Sequence, residues 1–136
     1  MSTRCSSSKR PVIIVITTEG VEFSNDQSTH VLRELHASGA TFYALALGTP
    51  SSSLADEMRN RQIVLAEGTE QTGGRREQLL TDMALPGALQ KIGEELLKQH
   101  VVTYGRPESL IPPERIQVAV TNPDLKARAR TRSTTR

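Results

Sequence analysis

Val12-Ile13-Ile14-Val15-Ile16 is five consecutive β-branched residues, bounded by Pro11 on one side and by Thr17-Thr18-Glu19-Gly20 on the other. β-branched side chains are stiff at χ1 and pack well on a pleated surface, and a continuous apolar run shows no polar face. The run therefore predicts a strand buried on both faces of a parallel sheet, which demands helical crossovers and an α/β fold.

The residues downstream are consistent with that demand. Ser24 to Ser28 offers N-caps, Val31, Leu32 and Leu35 recur at helical spacing, and Gly39 supplies a stop, which together predict a helix over about Gln27–Ser38. Thr41 to Leu47 then reads as a second buried strand, left through Gly48-Thr49-Pro50. A strand, helix and strand joined this closely imply a right-handed crossover and a parallel pair. Ser53-Leu54-Ala55-Asp56 resembles a capping start, and Leu54, Met58, Ile63 and Leu65 mark one or two helical pieces ending near Thr72-Gly73-Gly74. Arg75 to Leu79 is a candidate third, edge-like strand. Leu85, Leu89, Ile92 and Leu96 define an amphipathic helix from about Pro86 to His100.

Beyond it, Val101 to Tyr104 is strand-like and Pro107 to Pro113 is a loop. Ile116 to Val120 and Leu125 to Arg130 alternate around the turn signal Asn122-Pro123-Asp124, predicting a C-terminal β-hairpin over 116–131 with Arg128, Arg130 and Arg132 on its solvated face. The expected architecture is α/β: a Rossmann-like, mostly parallel sheet of about three strands with a C-terminal hairpin. Residues 1–10 read as a flexible leader, 11–132 as the domain and 133–136 as a loose tail.

Charge is unevenly distributed. Of 17 basic and 15 acidic residues, eight basic ones sit at the two ends, leaving Pro11 to Leu125 with nine basic against fifteen acidic, a balance of −6. Neither this acidic body nor the four aromatics, Phe23, Phe42, Tyr43 and Tyr104, suits a nucleic-acid-binding core. The single Cys5 permits no intrachain disulfide and no thiolate metal cage. No apolar run reaches the length of a membrane span or signal peptide, so neither anchor nor export signal is expected.

The carboxyl end of a parallel strand is where open α/β sheets present ligand groups, which places Thr18, Glu19, Gly20 and Gly48 at the candidate binding site. No other constellation supports chemistry. The Gly68 to Gly74 stretch lacks the ending of a phosphate loop and reads as a helix stop. His30 and His36 lie on different helix faces, and His100 reads as serving a helix C-terminus. No serine, nor Cys5, has a base beside it in the sequence, so no enzyme activity is expected.

The order of these motifs resembles the later half of a von Willebrand factor type A domain, of the bacterial type found in exported proteins. The matching features are the apolar strand with Thr18-Glu19-Gly20, the helix ending at Gly39, the strand leading to Gly48, Thr72-Gly73-Gly74-Arg75, and the long helix running into Glu94 to Tyr104. They span about Arg10 to Arg132. The resemblance implies a protein-interaction or adhesion module, an extracytoplasmic setting and a metal-ion-dependent adhesion site for Mg²⁺ or Ca²⁺. In that family an Asp-x-Ser-x-Ser loop, a Thr and an Asp supply the ligands. Here only Thr18-Glu19-Gly20 corresponds, with Glu for Asp, and the extra methylene moves the carboxylate by roughly 1.5 Å. Asp26-Gln27-Ser28-Thr29-His30 is the nearest string to the missing loop, but Asp26 and Ser28 read as helix caps. Glu19 is thus the single metal-ligand candidate of an incomplete site, and a cation is expected only where a missing segment completes it.

On the same resemblance, the strand that would flank Val12 to Ile16 belongs to a missing first half. The exposed edge left behind predicts association with a protein partner, a second copy included. The alternative function is a small Rossmann-like domain that binds a nucleotide or other anion at the strand ends. Nucleic acid and membrane are not expected partners.

Overall fold

A computed structural model describes residues 10–18, 20, 26–49, 56–100, 102 and 115–131. The elements are β1 (Val12–Thr18), α1 (Ser28–Ser38), β2 (Thr41–Leu47), α2 (Asp56–Thr72), β3 (Arg76–Leu79), a 3-10 turn (Asp82–Ala84) and α3 (Leu85–Leu97). The strands form one parallel sheet in the order β1-β2-β3, with Val12 beside Thr41, Thr18 beside Leu47 and Leu47 beside Leu79. This is a small α/β, Rossmann-like arrangement, as the chain's pattern predicts. Among the described residues no helix is long and apolar enough to cross a membrane.

The pleat of β2 divides the core in two. Phe42 and Ala44 pack with Leu35 of α1 and Leu65 of α2. Tyr43 and Leu45 face the other way, onto Leu79, Ala88 and Ile92. Period-two alternation therefore puts α1 and α2 on one face of the sheet and α3 on the other. Tyr43 is buried, and its phenol titrates above the usual range, first because burial disfavours the phenolate and then because Glu95 is near.

The strand with the strongest β signature is not the central one. β1 lies at the sheet's edge, and Ile13, Ile14 and Ile16 are 38%, 41% and 47% exposed, correcting the expectation of burial on both faces. Composition reports what a strand tolerates, whereas the pairing order decides who is covered. β2, with three alanines or threonines among its seven residues, takes the centre because helices pack against both of its faces.

Helix boundaries follow local chemistry with some corrections. Gly39 ends α1 at φ 73°, and its N–H reaches the His36 carbonyl. At the other end of α1 the cap is Gln27, through its backbone carbonyl, and no side-chain cap bond forms there. Ser28 is instead the first helical residue, buried, so it does not serve as the cap. Met58 and Leu65 are buried on the single helix α2, while the Ser53 start lies outside the described residues. α3 stops at Leu97, leaving His100 beyond the end it was expected to serve. Its buried stripe is centred on Ala88 and Ile92, with Leu89 at the rim and 36% exposed.

Thr72 ties α2 to the sheet. Its hydroxyl donates to the Gly68 carbonyl at 2.7 Å and accepts the Phe42 N–H at 3.0 Å. Thr72→Val keeps the shape but leaves that buried N–H without an acceptor, a loss of about 1–3 kcal/mol. The expected readout is a lower urea midpoint with an unchanged m-value.

The expected hairpin is present as a turn rather than a ladder. Leu125 N–H bonds the Asn122 carbonyl at 3.2 Å, and Asn122 Oδ1 accepts from Asp124 N–H at 3.0 Å. Ile116 N–H meets the Thr131 carbonyl at 2.8 Å, but 116–120 and 125–130 form no strand, and Val118 and Val120 are 48% and 43% exposed. The second arm bonds to the domain body instead. Thr131 N–H donates to the Gln71 carbonyl at 3.1 Å, and the Arg130 guanidinium donates to the His36 carbonyl at 2.7 Å. Arg128 pairs with Glu95. The basic residues expected to be solvated are therefore, for Arg128 and Arg130, the anchors of this arm. Val101 and 103–114, which include the strand-like and loop segments read after α3 apart from Val102, lie outside the described residues.

Candidate functional site

The parallel register brings Thr18 beside Leu47, one residue before Gly48, so the sheet gathers two of the expected binding residues at its carboxyl end. Their polar groups are already engaged. The Thr18 carbonyl accepts from Arg61 Nη2 at 3.0 Å. Gly48, at φ 98°, donates its N–H to the Leu79 carbonyl at 2.8 Å and accepts from Gln78 Nε2 at 2.5 Å. The left-handed turn at Gly48 thus serves to tie β2 to β3, and its amide is not aimed at a ligand. Gly20 is exposed, with open space where a side chain would be. Glu19, the metal-ligand candidate, lies outside the described residues. Among the described residues no three His, Cys, Asp or Glu side chains converge as a metal's ligand set.

Sequence patterning carries no signal for Arg61 or Gln78. Each is a polar residue on an element whose period is already explained, and only the tertiary approach of α2 and β3 to the strand ends gives them partners. Arg76 behaves alike, its guanidinium donating to Gln62 Oε1 at 2.6 Å.

The larger unexplained surface is β1 itself. Because the strand is last in the sheet, one row of its backbone N–H and C=O groups faces away from β2, and no described strand pairs with it. Ile14 and Ile16 share the face of Tyr43 and Leu45, yet α3 covers the sheet over β2 and β3 and leaves them exposed. The seven residues of β1 contain no charge, no proline and no glycine. Natural edge strands are blunted by such residues, by bulges or by a cover, and an uncharged apolar edge is a template for another strand.

No protein-family model, no curated protein and no solved structure matches this chain. The fold therefore defines its class, a small parallel α/β domain, and its function rests on its own surfaces.

Proposed function

We propose that the protein is a non-enzymatic protein-interaction module, of the von Willebrand factor type A kind, that associates by adding a strand along β1. The observation that carries this reading is the exposure of Ile13, Ile14 and Ile16 on a strand whose outer edge is unpaired. The partner chemistry is an uncharged, extended apolar segment, and a second copy of the chain supplies one. Two β1 strands aligned antiparallel about Val15 set Ile14 of one opposite Ile16 of the other. No like charges meet along the strand. The sheet continues across the two-fold axis, and the exposed isoleucines join into one apolar patch between the two α3 helices.

Sedimentation equilibrium tests this. The wild-type chain is expected to dimerise at micromolar concentration, and Ile14→Lys/Ile16→Lys to be monomeric yet folded, with an unchanged circular-dichroism spectrum, because both side chains are exposed in the single chain. A well-folded wild-type monomer at that concentration would sink the proposal.

A further inference from the structure

In a parallel α/β sheet the crossover helices run against the strands, so their carboxyl ends gather where the strands begin. The end of a helix leaves its last four carbonyls without intrahelical partners and carries a partial negative charge. The C-terminal arm, 115–131, reaches the last turn of each of the three described α-helices. The Arg130 guanidinium donates to the His36 carbonyl of α1 at 2.7 Å, the Thr131 N–H donates to the Gln71 carbonyl of α2 at 3.1 Å, and Arg128 pairs with Glu95 of α3. His36 and Gln71 are also joined through their side chains, with Nε2 of one 2.5 Å from Oε1 of the other, so the two carbonyls form one landing. The arm's backbone passes over Gly73, where a Cβ would lie 2.8 Å from the Ala129 carbonyl carbon.

Apolar burial adds little to this seat. No residue of the arm is buried, none belongs to either core cluster, and Val118, Val120 and Leu125 are 48%, 43% and 59% exposed. The arm is therefore held by two arginines and a backbone amide at the negative ends of helices, whereas the sheet is held by apolar packing. Salt screens the first kind of contact. A segment with few buried apolar contacts also opens at a lower free energy than the whole domain.

We infer that the C-terminal arm is an electrostatic strap, a unit that lifts off the three helix ends while the sheet stays folded, with ionic strength setting how often it opens. Lifting frees Arg128 and Arg130 and returns the Gln71 carbonyl to water, and the β2–β3 ladder is not disturbed.

Amide hydrogen exchange of the full chain, followed residue by residue by nuclear magnetic resonance, tests this. Thr131 N–H reports the arm, as does Ile116 N–H, which donates to the Thr131 carbonyl at 2.8 Å. Ala44 and Gly48, whose N–H groups donate to the Arg75 and Leu79 carbonyls at 3.0 and 2.8 Å, report the sheet. Thr131 and Ile116 are expected to share one opening constant, at least about tenfold larger than that of Ala44 and Gly48. Raising sodium chloride from about 0.1 to 1 M shortens the screening length from about 10 to 3 Å and is expected to raise the arm's opening constant at least about threefold relative to the sheet's. Arg128→Gln/Arg130→Gln is expected to raise it at least about tenfold at the lower salt and to remove most of the salt dependence. Exchange of Thr131 with the opening constant of Ala44 would make the arm part of the cooperative core and overturn the inference. So would an arm opening constant unmoved by salt or by the double substitution.

Discussion

Gly74→Ala is expected to leave the chain unfolded, with the far-ultraviolet circular dichroism of a denatured protein at room temperature. Gly74 is buried where α2 hands over to β3, and a methyl built on its Cα would fall inside the carbonyl oxygen of Phe42 on the central strand. The obstacle is backbone on both sides, and neither can yield without disturbing the start of the β2–β3 ladder, where Ala44 N–H bonds the Arg75 carbonyl at 3.0 Å. Such an overlap costs more than about 4 kcal/mol. A domain of ordinary stability holds only about 5–15 kcal/mol. Gly93→Ala is the control, since its methyl meets nothing within 4 Å and α3 gains about 1 kcal/mol of helix propensity. A folded Gly74→Ala with an unchanged urea midpoint would refute this account of the α2–β3 turn.

Ile92→Ala is expected to have the next largest effect, a loss of about 2–5 kcal/mol. Ile92 is 1% exposed and is the residue through which α3 meets Tyr43, Leu45 and Leu79. α3 is the sole described helix on that face, so the space left by truncation is bounded by sheet residues that cannot follow it inward. Ile92→Val removes one methylene and should cost only about 0.5–1.5 kcal/mol. Urea unfolding monitored by circular dichroism measures both, and equal midpoints for the two variants would show that the site collapses freely. The same substitution at Ile16, 47% exposed in the single chain, should be nearly silent when measured at concentrations too low for dimerisation.

Much of the fold is legible in the chain because it is written in local periods. Thr41 to Leu47 has the bounds of β2, Gly39 and Gly73 end helices in left-handed conformations at φ 73° and 81°, and the short β3 falls within the expected Arg75 to Leu79. Each of these depends on residues within a few positions of one another. The errors share a different cause. Leu89 sits at the rim because the helix seats through Ala88, a choice made by the sheet beneath it. Arg128 and Arg130 alternate as a solvated strand face would, yet their partners, Glu95 and the His36 carbonyl, are separated from them by 33 and 94 residues.

The candidate site shows the same division. Thr18 and Gly48 are recognisable as strand ends, and the sheet does bring those ends together, but Arg61 and Gln78, which occupy their carbonyls, are found only in three dimensions. The seat of the C-terminal arm carries no sequence motif at all, because the His36 and Gln71 carbonyls and Glu95 come from α1, α2 and α3.

By itself the sequence determined the types and order of the elements from β1 to α3, since backbone propensity, capping and period-two or period-3.6 burial are short-range. Only the tertiary structure decided that Val12 to Ile16, the most strand-like and most apolar segment, lies at the edge with its three isoleucines exposed. Coverage is a property of neighbours: among the described residues β2 has a strand on each side and helices on both faces, whereas β1 has a strand on one side alone.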